Sequence, residues 1–250
     1  MGLFSATGLR HFSPTSLAVD GHNMNRFAIL GVSVAVLALA GVCFVAFVPQ
    51  PPKTLDWLMV NEAATIATLK NISSAQSQCQ TAGVIDNNNN GQGEFGYFGE
   101  LSGRTAIRGG SMSITPPVLR AAYGNIAGAC VSRSGYIFQM FLPSKAGAAV
   151  AEDGTGGDIT NDNGVDSGQA EVLWCCYAWP ATAGKTGNRA FFINQSGDVL
   201  GSRNNVTKYS RSTSKTPLPM AAFLPTETNM GGMVAANSTG TDGESWVLVN

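Results

Sequence analysis

The residues best suited to chemistry are oxygen donors in a tight loop. Asp86, Asn88 and Asn90, followed by Gly91 and Gln92, repeat an alternating D-x-N-x-N-G pattern. Alternation puts side-chain oxygens on one side of the loop, which suits a hard cation such as calcium. An EF-hand loop also needs an acidic residue at its twelfth position, which here is Tyr97. Glu94 or Glu100 would serve only in a different geometry. The competing reading is a solvated turn. A second stretch holds Asp153, Asp158, Asp162, Asp166 and Glu171 among glycines. Carboxylates that close together repel one another unless a cation or a basic partner intervenes. The candidate metal ligands are therefore Asp86, Asn88, Asn90, Asp158 and Asp162, and the candidate cofactor is calcium.

Other chemistries lack their parts. The two histidines, His11 and His22, precede residue 27, so the rest of the chain has none. A histidine-based triad is excluded there and zinc is disfavoured. Adjacent Cys175 and Cys176 are not a C-x-x-C redox pair. The segment GKTGN, residues 184–188, lacks the glycine-rich loop that cradles phosphate, and it reads as a hairpin turn. Fifteen basic against 16 acidic residues leave a net charge of −1, which disfavours nucleic acid. The locally basic stretch Arg203, Lys208, Arg211 and Lys215 reads as a solvated loop. No catalytic residue is expected, and the chain reads as non-enzymatic.

The elements that would position these residues begin with an apolar run. Residues 27–48, FAILGVSVAVLALAGVCFVAFV, contain no charge over 22 residues. As a helix they would span roughly 33 Å, enough to cross a bilayer. A cleaved signal peptide has a shorter apolar core, and a buried core helix would need a larger domain around it. Arg10 and Arg26 before the run place the amino end in the cytoplasm. The expected layout is a short cytoplasmic segment over 1–26, a transmembrane helix over 27–48, a proline-rich break over 49–53 and an extracytoplasmic domain over 54–250. The lipid bilayer is then a partner, and the location is a bacterial inner membrane crossed once. Trp57, just past the prolines, would anchor at the interface. Cys79, Cys130, Cys175 and Cys176 of the outer domain allow up to two disulfides or four reduced, buried thiols.

Within the outer domain, TLDWLMVNEAATIATLKNISSAQSQCQTAG predicts an amphipathic helix of about seven turns ending at Gly83. Its Ala63, Ala64, Ala67 and Ala75 suggest close packing on a sheet. A helical turn is expected over 98–101 and a brief helix over 119–122. Strands are expected over 134–143 and 170–180, in RAFFINQ, at 199–200 and over 245–249. The polar stretch 204–250 reads as a tail with a short helix near 226–236. Trp174 and Trp179, five apart, point to opposite faces of a regular strand. Together these give an α+β domain, one long helix on an antiparallel sheet.

The helix NEAATIATLKNISSAQSQ, the segment GQGEFGYFGEL, the strand GYIFQMFLP and the block CYAWPATAGKTGNRAFFINQSGDVL resemble type IV pilin-like proteins. The nearest likeness is to the pseudopilin-like family of planctomycete-type bacteria, over residues 55–200 together with the apolar helix ahead of them. That resemblance implies a helix packed on a four-stranded antiparallel sheet, and a structural or assembly role at the cell envelope with other pilin-like subunits or envelope proteins as partners. The chain departs from the family at two places. Gly21 is followed by His22, with no glutamate before the apolar run, and Pro49, Pro51 and Pro52 interrupt the helix. These departures favour an anchor over a processed filament subunit. The alternative function is a tethered binding module, stabilised by calcium.

Overall fold

Leu69, Ile72, Ala75 and Cys79 recur at helical spacing and are buried on one side of a helix, α1, Thr54–Thr81. It belongs to a computed structural model that describes residues 54–158 and 164–249. Gly83, at φ +59°, ends α1 in the left-handed conformation that glycine adopts without penalty. The packing stripe is the alanine stripe only in part, since Ala75 is buried and Ala64 half-buried. Ala63 and Ala67 are exposed, and Leu58, Thr65 and Gln76 complete the buried face. Among the described residues the other two α-helices are single turns, α2 at Phe98–Leu101 and α3 at Ser167–Ala170.

Eight strands of the described residues make one sheet: β1 Val131–Arg133, β2 Tyr136–Pro143, β3 Ala149–Ala151, β4 Cys175–Pro180, β5 Ala190–Asn194, β6 Leu200–Ser202, β7 Ser238–Thr239 and β8 Ser245–Leu248. Their order is β1-β2-β4-β5-β6-β8-β7, with β3 paired to the far end of β2. Every pairing is antiparallel. Central β2 and β4 pair from Tyr136 opposite Pro180 to Phe141 opposite Cys175.

This sheet overturns the expected pilin-like fold of one helix on four strands. The reason is visible in β4 and β5, whose every residue is buried. A strand with one wet face alternates polar and apolar residues, whereas a strand covered on both faces is apolar throughout. One face packs under α1 through Phe138, Met140, Cys176, Ala178, Phe191 and Ile193. The other face, through Ile137, Cys175, Tyr177, Trp179 and Phe192, meets Tyr209, Ala221, Ala222, Phe223 and Trp246. Those last residues come from the segment read as a polar tail. It is the second cover of the sheet, and it carries no helix near 226–236. Trp174 and Trp179 lie in opposite clusters, as their spacing implied.

Among the described residues no helix is long and apolar enough to cross a membrane. That finding overturns the single-pass inner-membrane placement within the described chain. The apolar run 27–48 and the segments 1–26 and 49–53 lie outside the described residues. Trp57, 55% exposed on α1, therefore has no assigned interface role.

The glycine-rich segment after α1 is a close-approach device. Gln76, buried in α1, donates to the Gly96 carbonyl at 2.7 Å and accepts from the Gly96 amide at 2.9 Å. Gly93 lies so near the α1 backbone that a Cβ there would collide with the Gln80 carbonyl oxygen. A Gly93→Ala change forces backbone against backbone, and overpacking of this kind costs about 1–3 kcal/mol or more. Urea unfolding should show that loss for Gly93→Ala. A change below about 0.5 kcal/mol would mean that the loop moves aside freely.

Candidate functional site

The D-x-N-x-N-G loop folds onto itself and then onto a distant residue. The Asp86 carboxylate accepts from the Asn90 amide at 3.1 Å and from the Gly91 amide at 3.0 Å. Asn88 Oδ1 accepts from the Asn90 amide, and Asn90 Oδ1 accepts from the Gln92 amide. Asn89 at φ 53° and Gly91 at φ 84° supply the left-handed steps that tighten the turn. On the open side stands Glu171. Its Oε1 accepts from Asn88 Nδ2 at 2.9 Å and from Asn90 Nδ2 at 2.8 Å. Asn88 and Asn90 thus meet Glu171 through their side-chain nitrogens, across 81 residues in the second case, while their oxygens and the Asp86 carboxylate accept from amides of the loop.

Glu94 and Glu100 are not available to this loop, because both are committed to Arg108. Arg108 Nη2 pairs with Glu94 at 2.7 Å and Nη1 with Glu100 at 2.8 Å, all three side chains being fully buried. Glu100 also accepts from the Tyr97 and Arg108 amides, and Glu94 accepts from the Asn87 amide at 2.6 Å. Burial alone would lower the Arg108 pKa, but the two carboxylates beside it outweigh that effect and hold it above the ordinary arginine value. The Glu94–Asn87 bond ties this buried triad directly to the candidate cation loop.

The second acidic stretch is dispersed. Asp166 caps α3 by accepting from the Gln169 amide at 2.9 Å. Glu171 joins the first loop instead. Asp158 is fully buried, and Asp162 lies outside the described residues. Asp158 is thus the only one of that predicted pair with a described position. Beside it in sequence, Glu152 is buried and accepts through Oε2 from the Gly157 amide at 2.9 Å and the Gly99 amide at 3.2 Å. Among the described residues no group of three or more His, Cys, Asp or Glu side chains is placed to hold a metal ion. The first loop brings two carboxylates and two amides, a hard-oxygen set that fits calcium better than a soft metal.

The thiols are placed for packing. Cys79, Cys130, Cys175 and Cys176 are all free and buried. Cys175 and Cys176 face opposite sides of the sheet, as adjacent strand residues must. Burial pushes the Cys79 thiol up to about 12 and the Cys130 thiol up to about 11. A thiol held protonated at neutral pH is a poor nucleophile. GKTGN is the β4–β5 hairpin, pinned to the start of α1. Asn61 donates to the Thr186 carbonyl, and Glu62 accepts from the Asn188 and Arg189 amides. Its Gly187 packs against the Tyr136 ring, where a Cβ would clash.

In comparisons with known proteins, no family model matches this chain, and no curated protein or solved structure matches it.

Proposed function

We propose that residues 54–249 form a non-enzymatic binding module whose loop 86–92 takes a calcium ion, with Glu171 as the closing carboxylate. The observation that carries this reading is the contact of Glu171 with the side-chain amides of Asn88 and Asn90, at 2.8–2.9 Å, in the loop that Asp86 also holds; an ion would take those two amides by their oxygens, turned from their present Nδ2 contacts. An EF-hand loop closes with an acid at its twelfth position. Here Tyr97 holds that position and is buried, so the closing acid comes from a remote segment. The bound ion would neutralise Asp86 and Glu171 and cross-link the loop to the segment after α3. The buried, protonated thiols and the absence of histidine after His22 support a role without nucleophilic catalysis.

Calcium titration of the full chain, stripped of divalent ions, tests the reading. Calcium should bind with measurable heat and raise the thermal midpoint, since a ligand at 100-fold excess over its Kd adds about 2.7 kcal/mol. Glu171→Gln and Asp86→Asn should each weaken binding at least tenfold, and Glu227→Gln, on a separate loop, should not. Absence of both heat and thermal shift at millimolar calcium would sink the proposal.

A further inference from the structure

A cleft beside α1, lined by no residue of the loop 86–92, has different chemistry. It encloses about 530 Å³ between α1 and β1, and its lining includes Thr68, Asn71, Leu119, Arg120, Tyr123 and Arg133. That volume lies within the range of about 300–1,000 Å³ typical of small-molecule sites. Arg133 is held in place by stacking. Its guanidinium carbon lies 4.4 Å from the centroid of the Tyr123 ring, which in turn stacks on Phe98 at 6.2 Å. Loop residues Val118 and Leu119 are fixed by their amides, which donate to the Leu101 carbonyl at 3.0 and 2.9 Å.

The guanidinium is oriented but unmatched. Among the described residues the only ion pairs are those of Arg108. Arg133 Nε is buried without a hydrogen-bond partner in the protein. A buried donor left unpaired carries a desolvation cost that an incoming acceptor recovers. Arginine presents a rigid planar fork that fits carboxylate and phosphate oxygens in pairs. Thr68 and Asn71 add hydroxyl and amide donors on the α1 wall, while Leu119 and Ala67 supply apolar surface.

We infer that this cleft binds a small organic oxyanion, its charged group on Arg133 and Arg120 and its apolar body against Leu119 and Ala67. The experiment is calorimetric titration of the full chain with benzoate, phenyl phosphate and neutral benzamide, at low and moderate salt. At least one anion should bind saturably at one site per chain, more weakly as salt rises, and benzamide should not bind. Selectivity for benzoate or for phenyl phosphate identifies the natural ligand as a carboxylate or a phosphate ester. Arg133→Gln should weaken the anion at least tenfold. Arg120→Gln, a change at an exposed position, should weaken it about threefold and keeps the test valid if Arg133→Gln does not fold. Arg203→Gln, at a residue that does not line the cleft, should leave binding unchanged. Failure of both anions to bind, equal binding of benzamide, or affinities unmoved by Arg133→Gln and Arg120→Gln would overturn the inference.

Discussion

Replacing Arg108 with leucine is expected to cost roughly 3–5 kcal/mol of folding stability, because two carboxylates then stay buried without their cation. Arg108 is fully buried between Glu94 and Glu100, and Nη2 also donates to the Phe95 carbonyl at 2.8 Å. The isolated pair is not itself a large net stabiliser, since desolvation offsets most of the Coulomb attraction. The damage comes from removing one side only. Replacing Glu94, Glu100 and Arg108 together by apolar residues of similar volume should therefore recover much of the loss, and the contrast separates the two effects. Urea unfolding at one pH measures both. If the single change costs less than about 1 kcal/mol, the carboxylates have found water and the triad is not sealed. The change should also weaken the proposed calcium binding, since Glu94 holds the Asn87 amide of the loop.

The part of this fold legible in the sequence is the part with a period. Helix α1 follows from Leu69, Ile72 and Cys79 on one face, and Gly83 marks its end. Strands β2, β4 and β5 follow from their apolar runs. The same runs also held the correction to the fold class. YIFQMFL and CCYAW do not alternate, so both faces had to be covered. Most of the second cover was not legible, because Tyr209, Ala221, Ala222 and Phe223 sit in irregular chain where burial has no period, and only Trp246 lies in a strand, β8. Strands of two or three residues, such as β3 and β7, are too short for alternation to register.

The candidate sites divide in the same way. Asp86, Asn88 and Asn90 lie close in sequence, so their alternation exposed one half of the candidate cation loop. Glu171 is a tertiary partner from a separate acidic stretch, and no local pattern links it to Asn90. Arg108 and Arg133 are single arginines in polar surroundings. Their roles arise from what folds around them, the carboxylates of Glu94 and Glu100 in one case and the ring of Tyr123 in the other.

Glu152 should make the domain less stable as pH rises, and Glu152→Gln should remove that dependence. Burial is the main cause of its shift, pushing the carboxyl from the ordinary value of 4.5 up to about 8. The amides of Gly157 and Gly99 lower it in part, and the nearby Glu100 carboxylate raises it further. Oε1 is buried without a partner, which suits a carboxylic acid better than a carboxylate. A folded-state pKa above the unfolded one means that the folded state binds more protons. Stability is then unaffected below about pH 4.5, falls between about pH 5 and 8, and levels off above that. A shift of this size corresponds to roughly 4–5 kcal/mol across the window, as an upper bound. Glutamine keeps an oxygen for the Gly157 and Gly99 amides and cannot ionise. The stability difference between Glu152→Gln and the unaltered chain should be near zero at pH 4.5, grow in favour of glutamine through pH 7, and flatten beyond pH 8. Urea unfolding at each pH gives that curve. A difference that stays constant from pH 5 to 9 would show that Glu152 is ionised throughout, with a charge partner in the fold.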